Sequence, residues 1–366
     1  MSEFRDGTRC VHAGGPAPVA GQPFLAGPVF AAPYHLPPGG PDPAVDSYGR
    51  SGNPTWRALE AALGELDGGE CVIFPSGMAA LSVLLRTVLR PGDLVIAPDD
   101  GYYLARALFA EQFPDIEVRY VPAVGPWTPE TVAGARLVLV ETPGNPSLDV
   151  CDIAQVARLT RAAGALLVVD NTTATPLGQR PLELGADVSL GSDTKAVAGH
   201  SDVLLGHLST VDGELAGKLR RARTVGGHNP GPFEVWLAHR GLATLDLRLA
   251  RQAENAAALV DRLRAVPDVS GLRWPGSPED PGYAVAAAQM RRFGGVFSFR
   301  LPSAAAVDQF LAKTRLIASA TSFGGLHSSV DRRAQWGDPV PPGFVRFSCG
   351  IEDPADLVAD VLAALS

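Results

Sequence analysis

The residues most able to do chemistry in this chain stand in one short segment, ADVSLGSDTKAVAGHSD. There an apolar run delivers Ser192, Asp193, Thr194 and Lys195 into a turn bounded by Gly191 and Gly199. A lysine amine can form a Schiff base with an aldehyde cofactor, and neighbouring hydroxyls suit a phosphate that takes several short hydrogen bonds. Alone the pattern is weak, because most lysines are solvated surface charges. Asp170 closes the upstream run LLVVDN. A carboxylate there could pair with a protonated pyridine nitrogen and keep the ring an electron sink, although strand-end aspartates also serve as turn formers and caps. Further upstream, CVIFPS runs directly into Gly77, Met78 and the helical pattern AALSVLL. Backbone N–H groups at such a helix start make an anion site by geometry, and an ordinary strand-to-helix turn fits the same residues.

These residues need a scaffold that brings strand ends together. From about residue 54 the chain alternates helical periods with short apolar runs: NPTWRALEAALGEL and GMAALSVLLRTVL read as helices, and CVIFPS, DLVIAP, RLVLVET, LLVVDN and ADVSLGS as strands. Strands so short and uniformly apolar belong to a parallel sheet covered by helices on both faces, with function at the strand carboxyl ends. The expected class is α/β. Residues 1–45, rich in Pro and Gly, read as an extended arm that could embrace a partner subunit; 46–235 form the cofactor-binding α/β unit; and 236–366 form an α+β carboxyl-terminal unit. In the last unit WLAHRGLATLDLRLARQAENAAALVDRLRAV reads as one long amphipathic helix.

Composition excludes several functions. With 366 residues and 46% hydrophobic content the chain can bury a large core. A net charge of −8 argues against a nucleic-acid partner, because backbone binding rests on clustered Lys and Arg. Cys10, Cys71, Cys151 and Cys349 form no C-x-x-C pair, so no zinc site or disulfide framework is expected, and reduced thiols fit a cytoplasmic protein. No apolar run approaches the ~20 residues of a membrane span, and MSEFRDGTRCVHAG lacks a signal-peptide pattern. The seven histidines show no ligand spacing and read as structural or surface residues; no metal is expected. Zinc-protease, P-loop, nucleophile-elbow and dinucleotide motifs are absent.

Eight segments then stand together in order: TRCVHAG, YGRSGNPTWRALE, PSGMAA, ETPGNPSLDVCDI, VVDNT, SDTKAVAGHSDVLLG, GPFEVWLAHRGLATL and VRFSCGIEDPADLVADV. With them the chain, from about residue 8 to its end, resembles the pyridoxal 5′-phosphate (PLP) enzymes of Cys/Met metabolism, the group of cystathionine γ-lyase, cystathionine γ-synthase, cystathionine β-lyase and methionine γ-lyase. The resemblance implies an aspartate-aminotransferase-like fold (fold type I), with a large, mostly parallel α/β domain and a smaller α+β carboxyl-terminal domain. It implies that Lys195 is the Schiff-base lysine, Asp170 the pyridinium partner, and Gly77, Met78, Ser192 and Thr194 phosphate binders. Tyr48 and Arg50 would reach the phosphate of a neighbouring subunit, which makes the active unit a dimer within a homotetramer. Asn145 and Glu141 would line the cofactor, Arg346 would clamp the substrate α-carboxylate, and Ser322 would help hold the same group.

Two departures from the family pattern stand out. The usual D-D-x-Y-G-G-T is PDDGYYLARALF here; in ungapped register Tyr102 stacks on the cofactor ring and moves protons, with Tyr103 as its competitor. Asp193 replaces a small residue beside the lysine. The expected reaction is γ-elimination from cystathionine to cysteine, 2-oxobutyrate and ammonia. The rivals are methionine γ-lyase, β-lyase and γ-replacing synthase activity, and a non-catalytic regulator on the same fold. Where family lyases carry an acidic residue before the S-L-G-G serine, this chain has Thr321, which implies relaxed selectivity.

Overall fold

The computed structural model describes residues 4–366 apart from 41 and 43. Helix α1 (Asp6–His12) lies in the amino-terminal arm. There follow α2 (Pro54–Asp67), β1 (Glu70–Phe74), α3 (Gly77–Val88), β2 (Leu94–Pro98), α4 (Tyr103–Gln112), β3 (Glu117–Val121), α5 (Pro129–Val132) and β4 (Ala135–Glu141). Next come α6 (Ile153–Ala163), β5 (Leu166–Asp170), α7 (Thr175–Gly178), β6 (Val188–Gly191), β7 (Gly206–Thr210) and α8 (Gly213–Gly226). The remainder holds α9 (Pro232–Leu242), α10 (Leu245–Leu263), β8 (Ser270–Arg273), α11 (Tyr283–Gln289), β9 (Val296–Arg300) and α12 (Ala304–Lys313). It closes with β10 (Ala318–Ser319), β11 (Ser329–Asp331), a 3₁₀ turn (Arg333–Trp336), β12 (Phe344–Ser348) and α13 (Pro354–Leu365).

Local sequence explains the boundaries that matter. Helix α2 starts where the Asn53 side chain accepts the Thr55 N–H with Pro54 at the first position, and it stops at Gly68 in a left-handed conformation. Its Trp56, Leu59, Leu63 and Leu66 recur at helical spacing and are buried against β1 and α9. Strands β4, β5 and β6 are buried along almost their whole length, as strands covered on both faces must be.

The seven-stranded sheet has the order β1-β7-β6-β5-β4-β2-β3. The pairs from β6 through β3 are parallel, and β7 is antiparallel to both its neighbours. The loop carrying Lys195 returns the chain directly rather than through a crossover helix, so β7 runs opposite to β6. The five-stranded sheet has the order β10-β11-β12-β9-β8 and is largely antiparallel. The expected α/β architecture, with a mostly parallel sheet and a smaller α+β part, is the one observed.

Two expectations need correction. The long helix after residue 235 is two helices, broken at Ala243 and Thr244. Gly241 lies so close to the lysine loop that a Cβ there would overlap the Ala198 carbonyl, and Arg248 folds into the break to donate to the carbonyls of Gly241, Ala196 and Val197. A continuous helix would leave no room for that guanidinium. The amino-terminal arm is not extended throughout. Helix α1 buries Arg9 and Cys10, with Arg9 donating to Glu65 and Arg180 pairing with Asp6 at 2.6 Å. Beyond it the arm exposes Phe24, Phe30 and Leu36.

Candidate active site

Strands β2, β4, β5 and β6 end on one edge of the large sheet, as parallel neighbours joined by crossovers do. Their ends, the first turn of α3 and the 321–336 segment enclose a cavity of about 410 Å³. Lys195 lines it, with Nζ donating to Ser322 Oγ at 2.7 Å and lying 5.2 Å from the centre of the Phe323 ring. Burial first, and then the charges of Arg346 and Arg333, bring its pKa down to about 8. A lysine so placed is partly neutral near physiological pH and can act as a nucleophile and base.

Asp170 stands at the end of β5 and accepts the Thr172 N–H at 2.9 Å. Glu141, its register partner on β4, accepts the Tyr102 N–H at 2.7 Å and the Asn145 N–H at 2.8 Å. Burial pushes both carboxyls up, and the Asp170 charge adds to the effect on Glu141. Glu141 thereby ties the tyrosine-bearing loop and the Asn145 loop to the sheet. Gly101 permits this approach, since a Cβ there would fall 2.6 Å from Pro98 and 3.1 Å from a Glu141 carboxyl oxygen.

Beside the lysine lies a cradle of donors. Ser76 caps α3 by accepting the Ala79 N–H, while the N–H groups of Gly77 and Met78 have no acceptor among the described residues. Ser192 and Thr194 line the same side, and a Cβ on Gly77 would press to 3.0 Å from Ser192. Two free helix-start amides, hydroxyls, an amine of lowered pKa and a strand-end carboxylate match phosphate, aldehyde and ring nitrogen in turn. The donor set fits PLP.

The opposite wall comes from the small sheet. Arg346, on β12, is buried and donates to Asn145 Oδ1 at 2.6 Å, the Ser322 carbonyl at 2.8 Å and Asp331 Oδ2 at 3.0 Å. Arg333 pairs with Asp331 at 2.8 Å and Asp338 at 2.7 Å and also lines the cavity. Ser322 has φ 77°, a left-handed conformation that a non-glycine residue adopts only at a cost, and it bonds both Lys195 and Arg346. Thr321 lies exposed at the rim.

Gly77, Met78, Tyr102, Asn145, Asp170, Ser192, Thr194, Lys195, Ser322 and Arg346 thus gather around one cavity. Tyr102 is half-buried, while Tyr103, 5.1 Å away edge-to-face, is more exposed; both line the cavity. Tyr48 and Arg50 are not brought there. Arg50 stacks over the exposed Tyr48 ring at 4.9 Å, away from the cavity of its own chain. Asp193 is buried and bonded to His207 at 2.8 Å, outside the cavity lining. Sequence reasoning missed Ser76 and Thr172, both inside motifs it had noticed, PSGMAA and VVDNT. It also missed Arg333, whose partners give no local pattern.

Comparison with known proteins agrees with this geometry. Residues 39–366 match the family described as Cys/Met metabolism PLP-dependent enzyme. A Streptomyces coelicolor protein provisionally named cystathionine γ-lyase is 51% identical, over 98% of this chain and 93% of that protein. Cystathionine γ-synthase of Mycobacterium tuberculosis is 42% identical over the full length of both. Among solved structures, CalE6 of Micromonospora echinospora, titled a methionine γ-lyase, superposes with a TM-score of 0.94 at 39% identity over all of both chains.

Proposed function

We propose a reaction for this chain, which belongs to the Cys/Met metabolism PLP-dependent enzymes and so is a PLP enzyme: γ-elimination from cystathionine. With water, cystathionine yields cysteine, 2-oxobutyrate and ammonia. The observation that carries the reading is Lys195, whose amine of lowered pKa stands between Ser322 and the Arg346 cluster in the shared cavity. When bound, PLP supplies an electron sink for charge that develops at the substrate's α and β carbons.

The chain's own residues do the rest. Lys195 would carry the cofactor, and its free amine moves protons at the substrate's α and β carbons. Asp170 holds the proton on the ring nitrogen. Gly77, Met78, Ser192 and Thr194, joined by Ser76, hold the phosphate. Arg346 takes the substrate α-carboxylate with a fork that Asn145 and Asp331 orient, and Ser322 assists. Tyr102, fixed through its backbone to Glu141 and lining the cavity, assists departure of the thiol. Thr321 leaves the rim without an acidic partner for the distal ammonium, which supports a relaxed lyase that also accepts methionine or homocysteine. Product analysis with cystathionine, methionine, cysteine and O-acylhomoserine side by side tests the reading. Cysteine and 2-oxobutyrate from cystathionine support it, and dominant γ-replacement with an O-acylhomoserine would overturn it.

The active unit is a dimer, within a tetramer, in the cytoplasm. Tyr48 and Arg50 lie outside their own chain's cavity, and all four cysteines are buried and unpaired. Tyr48 and Arg50 then reach the phosphate of the neighbouring subunit. Mixing inactive Lys195→Ala chains with inactive Arg50→Ala chains should restore part of the activity, because one site in each mixed dimer receives both intact groups. Subunit exchange without recovery would exclude sharing.

A further inference from the structure

Beneath the lysine turn lies a second charged set that the elimination does not use. His207, on β7, is the register partner of Gly191, the last residue of β6, and is 2% exposed. Its Nδ1 lies 2.8 Å from Asp193 Oδ1 and its Nε2 3.0 Å from Asp67 Oδ2, and Ser209 Oγ donates to the same Asp67 oxygen at 2.6 Å. Asp67 is the last residue of α2. A neutral imidazole has one N–H, so a ring facing a carboxylate at each nitrogen is satisfied only as imidazolium. Burial alone would lower its pKa; Asp193 and Asp67 reverse that and hold it at about 10. The other groups around it are Ser209, the Cys71 thiol on β1, which burial keeps neutral, and Asp170, whose carboxylate the imidazolium favours.

The ring also presses on the backbone of the turn. A Cβ on Gly191 would fall 2.4 Å from the ring's Cε1. Asp193 is two positions before Lys195, and its carbonyl accepts the Ala198 N–H at 2.9 Å. The His207 bond therefore grips the middle of the segment that carries the lysine. Three ionised groups in a fully buried place usually stabilise a fold less than apolar side chains of the same volume would. Their gain lies in fixing one geometry.

We propose that Asp67, His207 and Asp193 form a buried strut that locks the Gly191–Lys195 turn to the end of α2 and so positions Lys195 relative to Asp170. This rests on the reading that Lys195 carries the cofactor. Asp193 and His207 are positioning residues; neither lines the cavity.

The test uses holoenzyme of Asp193→Asn, of His207→Gln, and of a triple variant Asp67→Asn, Asp193→Ala, His207→Leu that replaces the charges with mostly apolar groups. In each, kcat for cystathionine should fall roughly ten- to hundredfold with little change in KM, the scale of a ~1 Å misplacement. The pH midpoint of the bound cofactor's visible absorbance should also move. The triple variant should keep wild-type thermal stability while showing both defects. A lowered melting temperature with unchanged kcat and absorbance midpoint, or a triple variant of wild-type kcat, would overturn the proposal. In wild-type protein with labelled histidine, one imidazole should stay protonated above pH 9 by NMR; a buried ring titrating like free histidine would sink the strut without any substitution. Borohydride trapping and peptide mapping run alongside separate the two ideas. An adduct away from Lys195 removes the cofactor reading and leaves the histidine result standing.

Discussion

The two walls of the cavity are built on different principles. The cofactor-facing wall is made of strand ends and one helix start, and several of its groups are held by neighbours close in sequence: Asp170 by Thr172, Ser76 by Ala79, Asn145 by Glu141. The substrate-facing wall is a lattice of charged side chains drawn from distant places. Arg346 reaches Asn145 in the large unit and Asp331 on the adjacent strand, and Arg333 leans on Asp331 and Asp338. Local bonding sets the first wall largely within the large sheet, with its lysine turn also tied to Asp193, His207 and Asp67 beneath it, whereas the second depends on how the two sheets are set against each other. The chemistry common to the family can then stay fixed on one side while selectivity is tuned on the other.

The largest effect should come from the first wall. Lys195→Ala removes both cofactor attachment and proton transfer, so activity should drop by roughly 10²–10⁴-fold and the purified protein should lose its yellow colour. Absorbance and borohydride peptide mapping check this, and full colour in the variant would reassign the attachment. Next, Arg346→Lys keeps the charge but not the fork that bonds Asn145 and Asp331 together. Since a charged hydrogen bond contributes ~1.5–3 kcal/mol, kcat/KM for cystathionine should fall about ten- to hundredfold. An unchanged kcat/KM would mean that the lattice orients nothing in the reaction.

The pH response separates the walls as well. Burial and the arginines of the second wall lower the Lys195 pKa to about 8 from the usual 10.5. Capture of PLP by apoenzyme needs the neutral amine, so its rate should climb about tenfold per pH unit up to that point and then level off. A rise continuing toward 10.5 would show that neither burial nor the charges of the second wall act on the amine. The smallest effect belongs to the rim. Thr321→Glu supplies a partly exposed partner for the distal ammonium, an ion pair of ~0.2–1 kcal/mol, so preference for cystathionine over methionine should grow by less than about tenfold. A flat ratio would move selectivity to the loop of Tyr102 and Tyr103.

The same contrast decides what the sequence could tell. Lys195, Asp170, Gly77 and Met78 were legible because a strand running into a turn or helix fixes where its last residues go, and short motifs record that. Helices α2 and α3 were legible from their apolar period. Asp331, Asp338 and Arg333 carry no such record, since their partnership exists only after β11, β12 and the 3₁₀ turn have folded together. The break between α9 and α10 was hidden for a related reason: the helical period runs through it without a proline, a single glycine is tolerated inside a helix, and only the contact of Gly241 with Ala198 and the inward reach of Arg248 interrupt it. The role proposed for Asp193 was out of reach until His207 was seen between it and Asp67.

Helix α10 has a consequence for how the molecule can be taken apart. Leu245 and Leu249 near its start belong to the apolar cluster of α2 and α9, while Ala256, Leu259, Val260 and Leu263 near its end belong to the cluster of the small sheet. One rigid rod is thus pinned into both interiors, and neither can come undone without exposing part of the other. Heating should melt the chain in a single calorimetric step rather than two. A gene fragment that stops before Leu249 would leave α2 with an open hydrophobic face, and should come out of the cell as aggregate instead of a free-standing half enzyme.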